Sequence, residues 1–152
     1  MGPSDKPIVI LLVEDNEDHA FLVQKALRSN GLKNEIHHVT TGEKALDYLF
    51  RRGEFADPAD SPRPVLVLLD IRLPGMDGLE VLKAIKREEK LKTIPVCMLT
   101  SSPEESDLFT SYNSGANSYI QKPVDFNKFV ETVKELGLYW LLTNIPPPVV
   151  AA

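Results

Sequence analysis

The sequence contains a single cysteine, Cys97, so no disulfide can form within the chain, and nothing in it calls for an oxidising compartment. It has no excess of positive charge: a formal net charge of −5 argues against the basic surface that nucleic acid requires. No apolar run approaches the length of a membrane span. The opening MGPSDKP lacks a positive segment followed by an apolar one, so no signal peptide is expected, and Lys6 breaks the pattern for myristoylation of Gly2. There is no internal repeat, and low complexity is confined to a short proline-rich end. These absences point away from a secreted disulfide scaffold, a membrane protein and a nucleic-acid binder, and make the cytoplasm the expected compartment.

What is present is an ordinary globular composition, with 43% apolar and 26% charged residues in 152 positions, enough for one domain with its own core. Residues 8–13, IVILLV, read as a buried strand. The apolar stripe Ala20, Leu22, Val23, Ala26, Leu27 predicts a helix stopped by Gly31. EIHHVT, 35–40, is expected as a second strand, followed by a helix over 43–52 with Thr40 and Glu43 as a capping box. The Pro-, Asp- and Ser-rich residues 53–64 read as a long loop. VLVLLD, 65–70, is the third strand, RLPGMDG a turn, LEVLKAIKREEK a helix and IPVCMLT the fourth strand. Ser102, Pro103 and Glu105 spell a helix start, with an end near Gly115. SYIQ is a fifth strand broken by Lys122-Pro123, and a last helix runs from about Phe126. Five alternations of strand and helix predict a parallel sheet covered on both faces, with ligands beyond the carboxyl ends of its strands.

The residues at those ends form a pattern. The first strand stops on Glu14-Asp15, the third on Asp70, the fourth on Thr100-Ser101, and the fifth is followed by Lys122. Each alone has an ordinary explanation as a cap, a turn starter or a surface charge. Gathered on one rim, three carboxylates repel by roughly 4 kcal/mol per pair at 4 Å and an effective dielectric near 20. Such a cluster needs a cation, and oxygen ligands beside a phosphate select a hard one such as magnesium. Other residues read as structural: His37 and His38 lie in a strand, Cys97 is a buried small hydrophobe, and Lys83, Lys86, Arg87 and Glu88 form a solvated helix face.

Glu14-Asp15, Asp70 with LPGMDG after it, Thr100 and the Lys122-Pro123 pair, in that order and spacing over residues 8–137, resemble the receiver domains of two-component response regulators. The resemblance implies a flavodoxin-like doubly wound (βα)5 fold with a five-stranded parallel sheet in the order 2-1-3-4-5. It implies that Asp70 accepts a phosphoryl group from a histidine kinase or phosphotransfer protein. Glu14, Asp15, Asp70 and the Arg72 backbone carbonyl would hold Mg2+, with Mn2+ or Ca2+ able to substitute. Thr100, the Ser101 backbone N–H and Lys122 would hold the phosphoryl oxygens, Thr100 and Tyr119 would form the switch, and Lys122-Pro123 would be cis. Many members carry two aspartates where this chain has Glu14-Asp15. Gly78 is expected where the turn re-enters a helix and no side chain fits.

The expected organisation is a tail at 1–7, a receiver domain at 8–137 and an aromatic, proline-rich extension at 138–152. With no output module expected, signalling would be a change in partner contacts, and the protein would catalyse only its own phosphorylation and dephosphorylation. RRGEF…SPRP before the third strand and LYWLLTNIPPP at the end further resemble the single-domain regulators paired with bacterial phytochrome kinases. That resemblance implies a homodimer in which Tyr139, Trp140, Leu141 and Leu142 contribute, although these residues could instead pack on their own domain. A downstream protein would read the changed contacts. Three rival readings meet obstacles in particular residues. An aspartate-nucleophile phosphatase wants a second acid at position 72, which is Arg. A flavin carrier wants a phosphate-cradling loop where this chain has Glu14-Asp15-Asn16-Glu17-Asp18. A pseudo-receiver that only binds partners would not need the full set of acids, Thr and Lys.

Overall fold

The computed structural model describes residues 8–28, 34–101, 110 and 112–138. Along the chain run β1 (Ile8–Val13), α1 (Glu17–Arg28), β2 (Asn34–Val39), α2 (Gly42–Phe50), a 3-10 turn (Gly53–Phe55), β3 (Leu66–Asp70), α3 (Gly78–Arg87), β4 (Val96–Thr100), β5 (Ser118–Gln121) and a last helix, α4 (Phe126–Glu135). The five strands form one sheet in the order β2-β1-β3-β4-β5, and every pairing is parallel. This is the expected fold.

The sheet is double-sided because its central strands alternate two apolar sets. Leu11, Val13, Val67, Leu69, Val96 and Met98 face α2 and α3, packing on Ala45, Leu46, Val81, Leu82 and Ile85. Ile10, Leu12, Leu66, Leu68, Cys97 and Leu99 face the other way, onto Ala20, Val23 and Leu27 of α1 and Phe129 and Val133 of α4. All residues of β3 and β4 are buried, so these strands read as unbroken apolar runs. β5 is buried only at alternate positions, leaving Tyr119 and Gln121 outward.

Several local expectations shift. β2 spans Asn34–Val39, one residue earlier than expected, which moves the cap of α2 to Thr41: its side chain accepts from the Lys44 N–H at 3.1 Å. Thr40 therefore does not cap the helix. Glu43 does not close a capping box either; its carboxylate accepts from the Met76 N–H at 3.1 Å and so braces the turn after β3. α3 starts on Gly78 behind its cap Asp77 and stops at Arg87, short of the expected end. Lys86 is not a solvated charge. Its ammonium donates to the carbonyls of Lys92 and Ile94, both at 3.1 Å, and to Asn117 Oδ1 at 3.2 Å, and burial pulls its pKa down. The 53–64 connection is ordered by Tyr48 donating to Pro62 O at 2.7 Å and by buried Ser61 donating to Phe55 O at 2.9 Å. The expected helix start at Ser102, Pro103 and Glu105 lies outside the described residues; the segment ends at Gly115, whose φ of +105° suits glycine. Among the described residues no helix is long and apolar enough to cross a membrane.

Candidate functional site

The sheet delivers its polar residues to one rim. Parallel pairing sets Val13 of β1 beside Leu69 of β3, and Asp70 of β3 beside Leu99 of β4, so the strand ends finish together. Glu14 follows β1 directly and is fully buried. Its N–H donates to Val39 O at 3.1 Å, and its own carbonyl takes a 2.7 Å contact from His38 Nε2. Its backbone is therefore tied on both sides to the end of β2. Asp70 is 3% exposed at the tip of β3, and its Oδ1 accepts the Arg72 N–H at 2.9 Å. The turn that follows is tight: a Cβ on Gly78 would overlap the Asp70 carbonyl oxygen, so the expected need for glycine there is met.

Lys122 reaches this pair from the end of β5. Its N–H donates to Thr100 O at 2.7 Å, and the Lys122-Pro123 bond is cis. Its ammonium lies 2.7 Å from Glu14 Oε1, 2.8 Å from Asp70 Oδ2 and 3.2 Å from His19 Nδ1, which accounts for all three of its protons. Lysine has only protons to give, so His19 Nδ1 is the acceptor. His19, in the first turn of α1, also stands 3.7 Å from Glu14 Oε1. Sequence reading missed it, because nothing in the sequence around position 19 signals a partner more than a hundred residues away.

Burial pushes the Glu14 carboxyl up to about 7, helped by its contact with Asp70 and opposed by the Lys122 ammonium and the Asn16 N–H. Burial alone would lower the pKa of Lys122, but hydrogen bonds to Asp70 and Glu14 outweigh it and hold the ammonium protonated.

Glu14, Asp15 and Asp70 each offer a carboxylate oxygen, and these oxygens lie within 4.8 Å of one another. The donor set is all oxygen, two of its members are buried and Asp15 is open to solvent. It fits Mg2+ or Mn2+. Thr100, 3% exposed, ends β4 beside this cluster, and exposed Ser101 follows it. Arg72 sits in the turn whose N–H meets Asp70. Tyr119 stands apart: it is 38% exposed on β5 and lies edge-on to Tyr112, ring centroids 6.0 Å apart. Tyr139, Trp140, Leu141 and Leu142 lie outside the described residues.

Comparison with known proteins agrees with this arrangement. The chain is 42% identical over 144 residues to the probable methanogenesis regulatory protein FilR2 of Methanothrix harundinacea, covering 95% of this chain and 90% of that one. It is 39% identical over 144 residues to response regulator Rcp1 of Synechocystis, covering 95% and 96%. An Mn2+-bound structure of Rcp1 superposes with a TM-score of 0.73, covering 93% of this chain and 100% of that one. The bacteriophytochrome response regulator RtBRR superposes with a TM-score of 0.81 at 45% identity, covering 94% and 86%. The pattern of the response regulator receiver domain matches residues 10–134, nearly the whole of the sheet and its helices. The chain belongs to that family.

Proposed function

We propose that this protein is a phosphorylation switch in which Asp70 takes a phosphoryl group from a phosphohistidine donor on a histidine kinase or phosphotransfer protein. The observation that carries this reading is the convergence of the Lys122 ammonium on the buried Asp70 and Glu14 carboxylates. In the transfer an Asp70 oxygen attacks phosphorus, the P–N bond to the donor imidazole breaks, and the imidazole leaves with the bonding pair and takes up a proton. Such transfers need positioning and charge neutralisation more than covalent assistance. A divalent cation would be held by Glu14, Asp15, Asp70 and the Arg72 carbonyl, and it would supply positive charge to the phosphoryl oxygens. Thr100, Lys122 and the Ser101 N–H would hold those oxygens. To do so Lys122 must loosen its hold on the carboxylates, and the Thr100 hydroxyl turning toward the phosphate would leave room for Tyr119 to move inward.

The output would be a changed surface around Tyr119, read by a downstream protein or by a second copy of the chain through Tyr139, Trp140, Leu141 and Leu142. The reading is of a cytoplasmic signalling protein that acts only on its own phosphate. A kinase of the phytochrome type is the favoured donor, supported by the likeness to RtBRR; the likeness to FilR2 shows that similar chains also serve under other regulatory names. The test is phosphotransfer from an autophosphorylated phytochrome-type kinase carrying labelled phosphate. Transfer to the parent and not to Asp70→Asn supports the donor. Transfer from acetyl phosphate alone keeps the switch and removes that kinase type.

A further inference from the structure

At the opposite end of the strands from Asp70 lies a cavity of about 350 Å3, walled by the end of α2, the 53–64 connection and the turn between α3 and β4. Pro64 and Ile94 in its wall stand two residues before β3 and β4, whereas Asp70 and Thr100 end those strands. At about 3.3 Å per residue the cavity is roughly 20 Å from the phosphoacceptor. The volume is that of a small-molecule site.

Its chemistry is two-faced. Leu49, Leu91 and Ile94 are buried apolar residues of the wall. The rim carries Arg51, Arg63 and Lys90 against one carboxylate, Glu88, in a protein whose net charge is −5. Among the described residues no carboxylate pairs with any of the three cations. Arg51 Nε donates to Ser61 O at 3.3 Å, and Arg63 donates to the Lys90 carbonyl and, at 3.3 Å, to Thr93 Oγ1. These acceptors are neutral, and they leave guanidinium donors over.

Arg51 adds a second observation. It caps α2 with φ 55° and ψ 58°, and every other described residue with positive φ is a glycine. Glycine is the usual occupant of such a left-handed helix end, because a Cβ is disfavoured there. Keeping an arginine in that backbone points to a use for its side chain.

We infer that this cavity binds a small amphiphilic anion. Its carboxylate, sulfonate or phosphate head meets Arg51, Lys90 and the spare donors of Arg63, and its apolar or aromatic body lies on Leu49, Leu91 and Ile94. Guanidinium groups suit such heads because they offer paired donors in a plane.

The probe is anilinonaphthalene sulfonate, an aromatic body with one fixed negative charge, titrated into the full chain and followed by fluorescence and backbone-amide NMR. Its uncharged parent, phenylnaphthylamine, is the control. The expected result is saturable binding that shifts the amides of 49–51, Ser61, Arg63 and 88–94. Affinity falls roughly tenfold or more in the Arg51→Met, Lys90→Met double variant, and falls similarly for phenylnaphthylamine on the parent protein. Shifts centred elsewhere, equal affinity of the charged and uncharged probes, or unchanged affinity in the variant overturns the inference. Lys90→Met alone, whose ammonium holds no part of the described fold, serves if the double variant does not fold, and it too must weaken binding.

Discussion

The Lys122 ammonium lies 2.8 Å from Asp70 Oδ2 although 52 positions separate the two residues in the chain. It lies as close to Glu14, so one mostly covered ammonium holds two buried carboxylates together before any metal or phosphate arrives. Removing one partner of a buried pair leaves the other charge uncompensated. Lys122→Met should therefore destabilise the metal-free protein by about 3 kcal/mol. Denaturant unfolding with chelator, and again with Mg2+, measures this, and Mg2+ should recover part of the loss because a cation returns to the carboxylates.

The same crowding makes stability depend on pH. In the unfolded chain Glu14 keeps its proton only below its ordinary 4.5, and in the metal-free fold up to about 7. Between those values the folded state binds the extra proton, so through Glu14 folding is opposed above about pH 7 and the opposition fades as the pH falls toward 4.5. Unfolding midpoints in chelator, taken from about pH 8 down to about pH 5, should gain from this group in the parent and lack that gain in Glu14→Gln. Equal pH slopes in the two proteins would contradict it.

Gly78 is the tightest backbone approach at the site. A Cβ there would overlap the Asp70 carbonyl oxygen and come within 2.9 Å of the Ile71 Cα. Gly78→Ala should cost roughly 2 kcal/mol of stability by forcing the turn outward. It should also slow phosphorylation, since the residue that must move is the one carrying the acceptor. Thermal melts and acetyl phosphate uptake read the two effects separately.

Arg51 carries the reverse expectation. Glycine suits its φ of 55°, so Arg51→Gly should stabilise the fold by about 1 kcal/mol while weakening anion binding at the cavity nearby. Paired denaturation and probe titrations would show whether stability and affinity move in opposite directions.

Much of this was legible in the sequence, for a physical reason. β1, β3 and β4 are covered on both faces, so they appear as continuous apolar runs, and the residue at which each run stops is the residue that the rim presents. The ends were less legible. Thr40 and Thr41 offer the same hydroxyl, and only the last hydrogen-bonded position of β2 decides which of them caps α2. Lys86 looks like any helix-surface lysine until the α3–β4 turn folds its carbonyls over it. His19 and the Arg51 cavity depend on contacts between distant segments, which no local pattern encodes.

The measurement that bears most directly on the switch is the intact mass of the protein after acetyl phosphate, with and without Mg2+, beside Asp70→Asn. The account predicts a single phosphoryl increment that requires both Mg2+ and Asp70. An increment that persists in Asp70→Asn, or none under any condition, would contradict it and leave a receiver fold that binds partners without the phosphate.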